Sequence, residues 1–368
     1  MPPTEPPAAL PTTRGASLPK RTMRAAVSRG RRALPVEELA LPEPGPGEVR
    51  VRVSACGVCG TDLHLFHAGL FPSGMTPGHE IAGSVDRAGP GVSGFAQGGA
   101  VVVEPLRTCG RCRECQAGRD SICAELRLLG LHERGGMAEY VVVPSHRLFR
   151  VPEELDPRIA ALTEPAAVVF HGLRRGNLAP GQRVLVLGAG TVGLLGVLAA
   201  RSLGAGEVWL AARHPHQRAL GERFGATQVL DEAEATPQAL AARAKRQPAD
   251  LVLETVGGRA DTLRAAGAAL APGGSVSVLG VFLGSVQLDP YPLLLKEATL
   301  AWSNCYARSW SGSPRADFED AVALVDGQRE LLVGLVTHSV SLGEVERGFE
   351  IASDKKAGAV KVSVLPFP

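Results

Sequence analysis

The chain has 368 residues, more than one hydrophobic core usually supports, so two domains are expected. Apolar residues make up 45%, charged residues 21%, and the net charge is +2; with no polybasic run, nucleic acid and anionic membranes are not expected partners. No apolar stretch reaches the ~18 residues that span a bilayer, and the N-terminus lacks the hydrophobic core of a secretory signal, so the cytoplasm is the expected compartment.

Residues 1–22 are rich in proline, threonine and alanine and are expected to form a disordered extension. Their six prolines oppose the amphipathic helix of a transit peptide. At Met23 the text changes to MRAAV, so starts at Met1 and at Met23 both stand. From about Val49 to Val143, apolar alternations broken by Gly and Pro predict an irregular β-rich region. Within it, Cys59 and His79, together with one of several nearby carboxylates, suffice for a catalytic zinc, which needs three protein ligands and one open position.

Cys109, Cys112, Cys115 and Cys123 have the spacing of a closed tetrahedral zinc site. The rival is a pair of disulfides, but CxxC neighbours rarely form a stable structural bridge, and nothing suggests export. Four protein ligands leave no open position, so this metal stiffens a lobe and the chemistry lies elsewhere.

After this region the pattern switches. Strands are expected at Arg183–Leu187, Val208–Ala211, Leu251–Glu254 and Ser275–Leu279, with a helix over Val192–Ser202, which implies a parallel sheet with right-handed crossovers. Between the first strand and that helix, Gly188, Gly190, Thr191, Val192 and Gly193 form GxGxxG in its meaningful context. Gly188 permits the turn, Gly190 the approach of a pyrophosphate, and Gly193 the packing of helix on strand. The next strand should end in a carboxylate for the ribose hydroxyls of NAD, yet Ala212 stands there, followed by Arg213. A guanidinium suits a 2′-phosphate, so NADP is expected over NAD, with Arg213 as the main contact and His214 or Arg218 as helpers. The last 60 or so residues hold THSVSL, a helix opened by Ser341 and Glu344 in capping-box spacing, and a final strand KVSVL. They read as β-rich, so the parallel-sheet domain is expected to be an insertion.

The segments CGVCGTDLH, GHEIAG, CGRCRECQAGRDSIC, GGMAEYVVVP, TEPAAVVFHG and GAGTVG together resemble the zinc-dependent medium-chain dehydrogenase/reductase superfamily, near its sorbitol, butanediol and threonine dehydrogenase branch. The resemblance runs from Met23 to the C-terminus. It implies an α/β chain with a GroES-like β-rich catalytic domain at 23–165, carrying the zinc lobe at 109–123. A Rossmann doubly wound parallel sheet follows at 166–303, and 304–368 return to the catalytic domain. Two zinc ions per chain, a small alcohol or ketone substrate and a homodimer or homotetramer are also implied.

Carried over by position, Cys59 and His79 hold the catalytic zinc, and Glu164 stands where classical alcohol dehydrogenases carry a cysteine; Glu80 is the competing ligand. Asp62 is similar to the family's outer-sphere acid. Thr61 would take the alcohol proton and pass it by way of the nicotinamide ribose to His64 near solvent. The implied activity is hydride transfer between NADP, or NAD, and a secondary alcohol of polyol, cyclitol or sugar-like type. Two rivals remain: a primary-alcohol or aldehyde reductase, and a non-catalytic nucleotide-binding relative. Cys56 is expected to be packing, Cys305 has no assigned role, and Gly99-Ala100 replaces the family's usual Asp-Arg pair.

Overall fold

Val49, Val51 and Val53 recur at every second position of the strand Glu48–Gly57, and all three are fully buried. That period makes this strand the centre of the first of two compact units in the computed structural model, which describes residues 21–30, 32–282, 284–308 and 316–367. Most of the expected N-terminal extension lies outside the described residues. Thr22 is already in a strand, Thr22–Ala26, paired antiparallel with Val36–Ala40.

The first unit is built on a seven-stranded sheet. Glu48–Gly57 pairs antiparallel with Glu80–Ala88, Tyr140–Pro144 and Lys361–Leu365, and Glu80–Ala88 continues into Ala100–Val103 and then Leu148–Arg150. The chain's end therefore returns to the sheet on which the first motifs lie. Val336–Ser341 closes the other edge, parallel to Lys361–Leu365. Phe66 of the helix Gly60–Ala68 and Phe349 of the helix Val345–Ser353 meet with ring centroids 4.8 Å apart over this core. The capping box at Ser341 is present, with Glu344 accepting from the Ser341 backbone and hydroxyl; it closes a 3-10 turn that runs into the Val345–Ser353 helix.

The second unit holds a six-stranded, all-parallel sheet in the order Gln228–Leu230, Glu207–Ala211, Arg183–Leu187, Ala249–Glu254, Leu270–Val278, Thr299–Trp302. Numbered along the chain this is 3-2-1-4-5-6, the dinucleotide-binding order, in which ligands lie beyond the carboxyl ends of the strands where the order reverses. The expected strands are all present; Gln228–Leu230 and Thr299–Trp302 are additional.

Two boundaries differ from those the sequence suggests. The return to the first unit falls at Val336 rather than at 304, because the helix Asp317–Gly327 packs on the helix Thr163–Arg175. Buried Asp317 accepts from His171 Nδ1 at 2.8 Å and also pairs with Arg174. The cysteine loop 108–124 groups with the second unit and not with the first, since Arg308 Nε donates to Asp120 at 2.6 Å and its backbone N–H to Gly118 at 2.9 Å.

Candidate active site

Cys59 follows the central strand of the first unit and is the N-cap of the helix Gly60–Ala68, with extended φ and ψ of −91° and 158°. Asp62, in the first turn, accepts the Cys59 N–H at 3.0 Å through Oδ2. Its other oxygen stands 3.7 Å from His79 Nδ1. Burial pushes the Asp62 carboxyl above the usual range, against the pull of His79. His79 sits immediately before the strand Glu80–Ala88, whose register places Glu80 opposite Gly57. The ligand atoms of Cys59, His79 and Glu80 consequently lie within 4.8 Å of one another. A thiolate, an imidazole and a carboxylate so grouped are the donor set of a catalytic zinc.

Lys361 was not singled out from the sequence. Ser363 pairs with Gly57, which pairs with Glu80, so Lys361, two residues before Ser363 and on the same face, reaches Glu80. The two form a buried ion pair, and Lys361 Nζ also donates to the Val58 carbonyl at 3.1 Å. A lone lysine at the head of an apolar strand was the available signal.

Thr61 and His64 occupy the Gly60–Ala68 helix three positions apart, hence on neighbouring faces; Thr61 is half-buried and His64 exposed. Glu164 belongs to the second unit, buried in the first turn of the helix Thr163–Arg175. Among the described residues of the first unit, the side chains grouped so that they could hold a metal are Cys59, His79 and Glu80. Cys56 lies in the core, where burial raises its thiol well above the usual range.

The four loop cysteines also converge. Their sulfurs lie 4.0 Å apart for Cys109 and Cys115, 3.5 Å for Cys112 and Cys115, and 3.6 Å for Cys109 and Cys123. A tetrahedral zinc with Zn–S bonds of about 2.3 Å needs sulfurs about 3.8 Å apart, so the loop fits the ion. All seven cysteines of the chain are unbridged, which excludes the disulfide alternative in this structure. The Cys115 backbone pulls the Cys112 thiol down to about 6, while burial pushes Cys115 up to about 12. Four thiolates this close repel one another, and a divalent cation offsets that repulsion.

In the second unit, Gly188 links the strand Arg183–Leu187 to the helix Thr191–Ser202 with φ of 103°, left-handed backbone that favours glycine. A Cβ on Gly193 would fall 1.8 Å from the Gly188 carbonyl oxygen, so helix and turn touch only because that side chain is absent. At Gly190, the N-cap, a Cβ would meet nothing within 4 Å, leaving open space before the first helical N–H groups of Thr191, Val192 and Gly193. This is the cradle that a pyrophosphate requires. Beyond the next strand Ala212 is buried, whereas Arg213 is exposed and its guanidinium meets Glu232 at 2.9 Å. His214 caps the helix Pro215–Arg223 and stacks on His216; Arg218 is half-buried on that helix.

Comparison with known proteins adds two family matches: residues 45–153 match the alcohol dehydrogenase GroES-like domain and residues 191–327 the zinc-binding dehydrogenase domain. L-threonine 3-dehydrogenase of Pyrococcus abyssi is 31% identical over 330 residues, covering 88% of this chain and 93% of that protein. Sorbitol dehydrogenase of Bacillus subtilis is 29% identical over 362 residues, covering 94% and 97%. A crystal structure from Sinorhizobium meliloti, described as a zinc-binding dehydrogenase bound to NADP, superposes with a TM-score of 0.83 at 34% identity, covering 94% of this chain and all of that one.

Proposed function

The chain belongs to the zinc-dependent medium-chain dehydrogenases of the alcohol dehydrogenase superfamily, and on that premise we propose that it transfers hydride between NADP and a secondary alcohol or its ketone. The substrate class we assign is a polyol, cyclitol or sugar-like compound. The observation that carries the reading is the group of Cys59, His79 and Glu80, an N, S and O donor set with fewer than four protein ligands. The sorbitol dehydrogenase relative supports the polyol assignment, and the NADP-bound neighbour supports the cofactor.

Bound at these sites, zinc supplies Lewis acidity and the nicotinamide accepts the hydride. Cys59 and His79 would hold the metal, with Glu80 or Glu164 as the third ligand. Asp62 Oδ1, 3.7 Å from His79 Nδ1, is placed so that its charge would favour that orientation of the ring. Thr61 would take the proton of the substrate hydroxyl as its own passes by way of the ribose hydroxyl of the cofactor to exposed His64, which delivers a proton to solvent. Cys109, Cys112, Cys115 and Cys123 would hold a second zinc with no chemical role. The glycine turn would receive the pyrophosphate on the N–H groups of Thr191, Val192 and Gly193, and Arg213 would take the 2′-phosphate, with Arg218 near it in sequence.

We read the protein as a homodimer or homotetramer. Among the described residues, Thr299–Trp302 is an edge strand of the parallel sheet, carries no charged residue and leaves Trp302 half exposed; beside it in sequence, Tyr291, Leu294 and Leu295 are exposed on the Pro290–Leu295 helix. Such an edge invites pairing unless it is covered. Among the described residues, no helix is long and apolar enough to cross a membrane. Seven unbridged cysteines support a reducing, cytoplasmic compartment.

The test is nicotinamide reduction, followed by absorbance, across polyols, cyclitols, aminocyclitols and simple alcohols, each with NADP and with NAD. Turnover of a polyhydroxy secondary alcohol with NADP preferred is the expected result. Primary alcohols as the only good substrates would move the assignment to the aldehyde-reductase rival.

A further inference from the structure

The parallel register pairs Ala211 with Leu230, and the Ala212 N–H donates to the Leu230 carbonyl at 2.9 Å. Two adjacent strands thus release their loops side by side at the carboxyl edge of the sheet. One loop carries Arg213; the other carries Asp231, Glu232 and Glu234. These three carboxylates have different tasks. Asp231 Oδ1 accepts the N–H groups of Ala233 and Glu234 at 2.9 and 3.0 Å, which ties down its own loop. Glu234 accepts the Asp231 N–H at 3.0 Å and faces Arg243 at 3.7 Å. Glu232 alone is committed to Arg213, at 2.9 Å, and both side chains are about two-thirds exposed, at 68% and 67%.

We propose that Glu232 tunes cofactor choice by competing with the 2′-phosphate of NADP for the Arg213 guanidinium. The proposal rests on the reading of Arg213 as the 2′-phosphate contact. An exposed ion pair contributes little, so a dianionic phosphate displaces the carboxylate. The displaced carboxylate stays on a tied-down loop next to the phosphate, and the repulsion between them lowers NADP affinity. NAD, with a neutral ribose at this position, meets no such repulsion, and Glu232 can accept a hydrogen bond from its hydroxyls. One carboxylate thereby narrows the gap between the two cofactors from both sides.

The test measures Kd for NADPH and NADH by fluorescence titration of the full chain, at low and high salt. The proteins are wild type, Glu232→Gln, Arg213→Ala and the double variant. Glu232→Gln is expected to tighten NADPH by about three- to tenfold at low salt, and less at high salt, without tightening NADH. Arg213→Ala is expected to weaken NADPH by about tenfold or more, and adding Glu232→Gln to it should recover part of that loss at low salt, because the carboxylate repels the phosphate even without the guanidinium. If Arg213→Ala weakens NADPH but Glu232→Gln leaves it unchanged, the competition is refuted and the Arg213 contact stands. If Arg213→Ala leaves NADPH unchanged, the Arg213 reading itself falls, and the role of Glu232 with it.

Discussion

At Glu80 and Lys361 two opposite charges are buried together, 1% and 3% exposed, next to two proposed metal ligands. Breaking such a pair from one side leaves a charge without compensation, which costs about 3–5 kcal/mol. Lys361→Met is therefore expected to destabilise the fold by that amount in urea unfolding, and Glu80→Gln/Lys361→Met to recover most of it. A loss under about 1 kcal/mol would mean that water or a cation reaches Glu80. Cys59→Ala should abolish turnover with little effect on the unfolding midpoint, because Cys59 is only partly buried at the edge of the core. Retained turnover would remove Cys59 from the catalytic metal site, and a wild type without turnover would leave the non-catalytic rival standing. Cys59 and His79 were legible in the sequence because few side chains ligate zinc and their spacing is constrained. Lys361 was not, since its partner is 281 positions away and only strand register unites them.

The helices show which local signals suffice and which do not. A Cβ at Gly193 collides with backbone, which cannot swing aside as a side chain could. Gly193→Ala should thus weaken NADPH binding by at least about tenfold in a fluorescence titration, through a displaced helix N-terminus. The Asp317–Gly327 helix depends on a different contact: Asp317 bridges His171 and Arg174 on the Thr163–Arg175 helix and accepts the Ala307 N–H at 2.7 Å. Asp317→Ala is expected to cost about 2–4 kcal/mol in thermal or urea unfolding, since it leaves buried donors unmatched. The capping box at Ser341 and the glycine turn were readable because each is a local device spanning a few residues. The strands Gln228–Leu230 and Thr299–Trp302 were not, being three and four residues long and too short to show a period.

For the whole molecule the reading predicts two zinc ions per chain by elemental analysis of the protein as purified. Cys112→Ala should remove one of them and lower the melting temperature, because a structural zinc contributes folding free energy. Cys59→Ala should remove the other and leave the melting temperature nearly unchanged. Equal zinc content in both variants and the wild type would refute the two-site assignment. Sequence by itself determined the chemistry on offer: which residues can ligate zinc, where a pyrophosphate can approach backbone, and that an arginine replaces the usual acid after the second parallel strand. These follow from side-chain type and short spacing, which folding does not alter. Only the tertiary structure decided which of those groups meet. It paired Glu80 with Lys361, set Glu232 against Arg213, and joined the cysteine loop to the second unit. Each of these depends on strand register or an ion pair between distant segments, and no local pattern encodes contacts that form only when the chain folds.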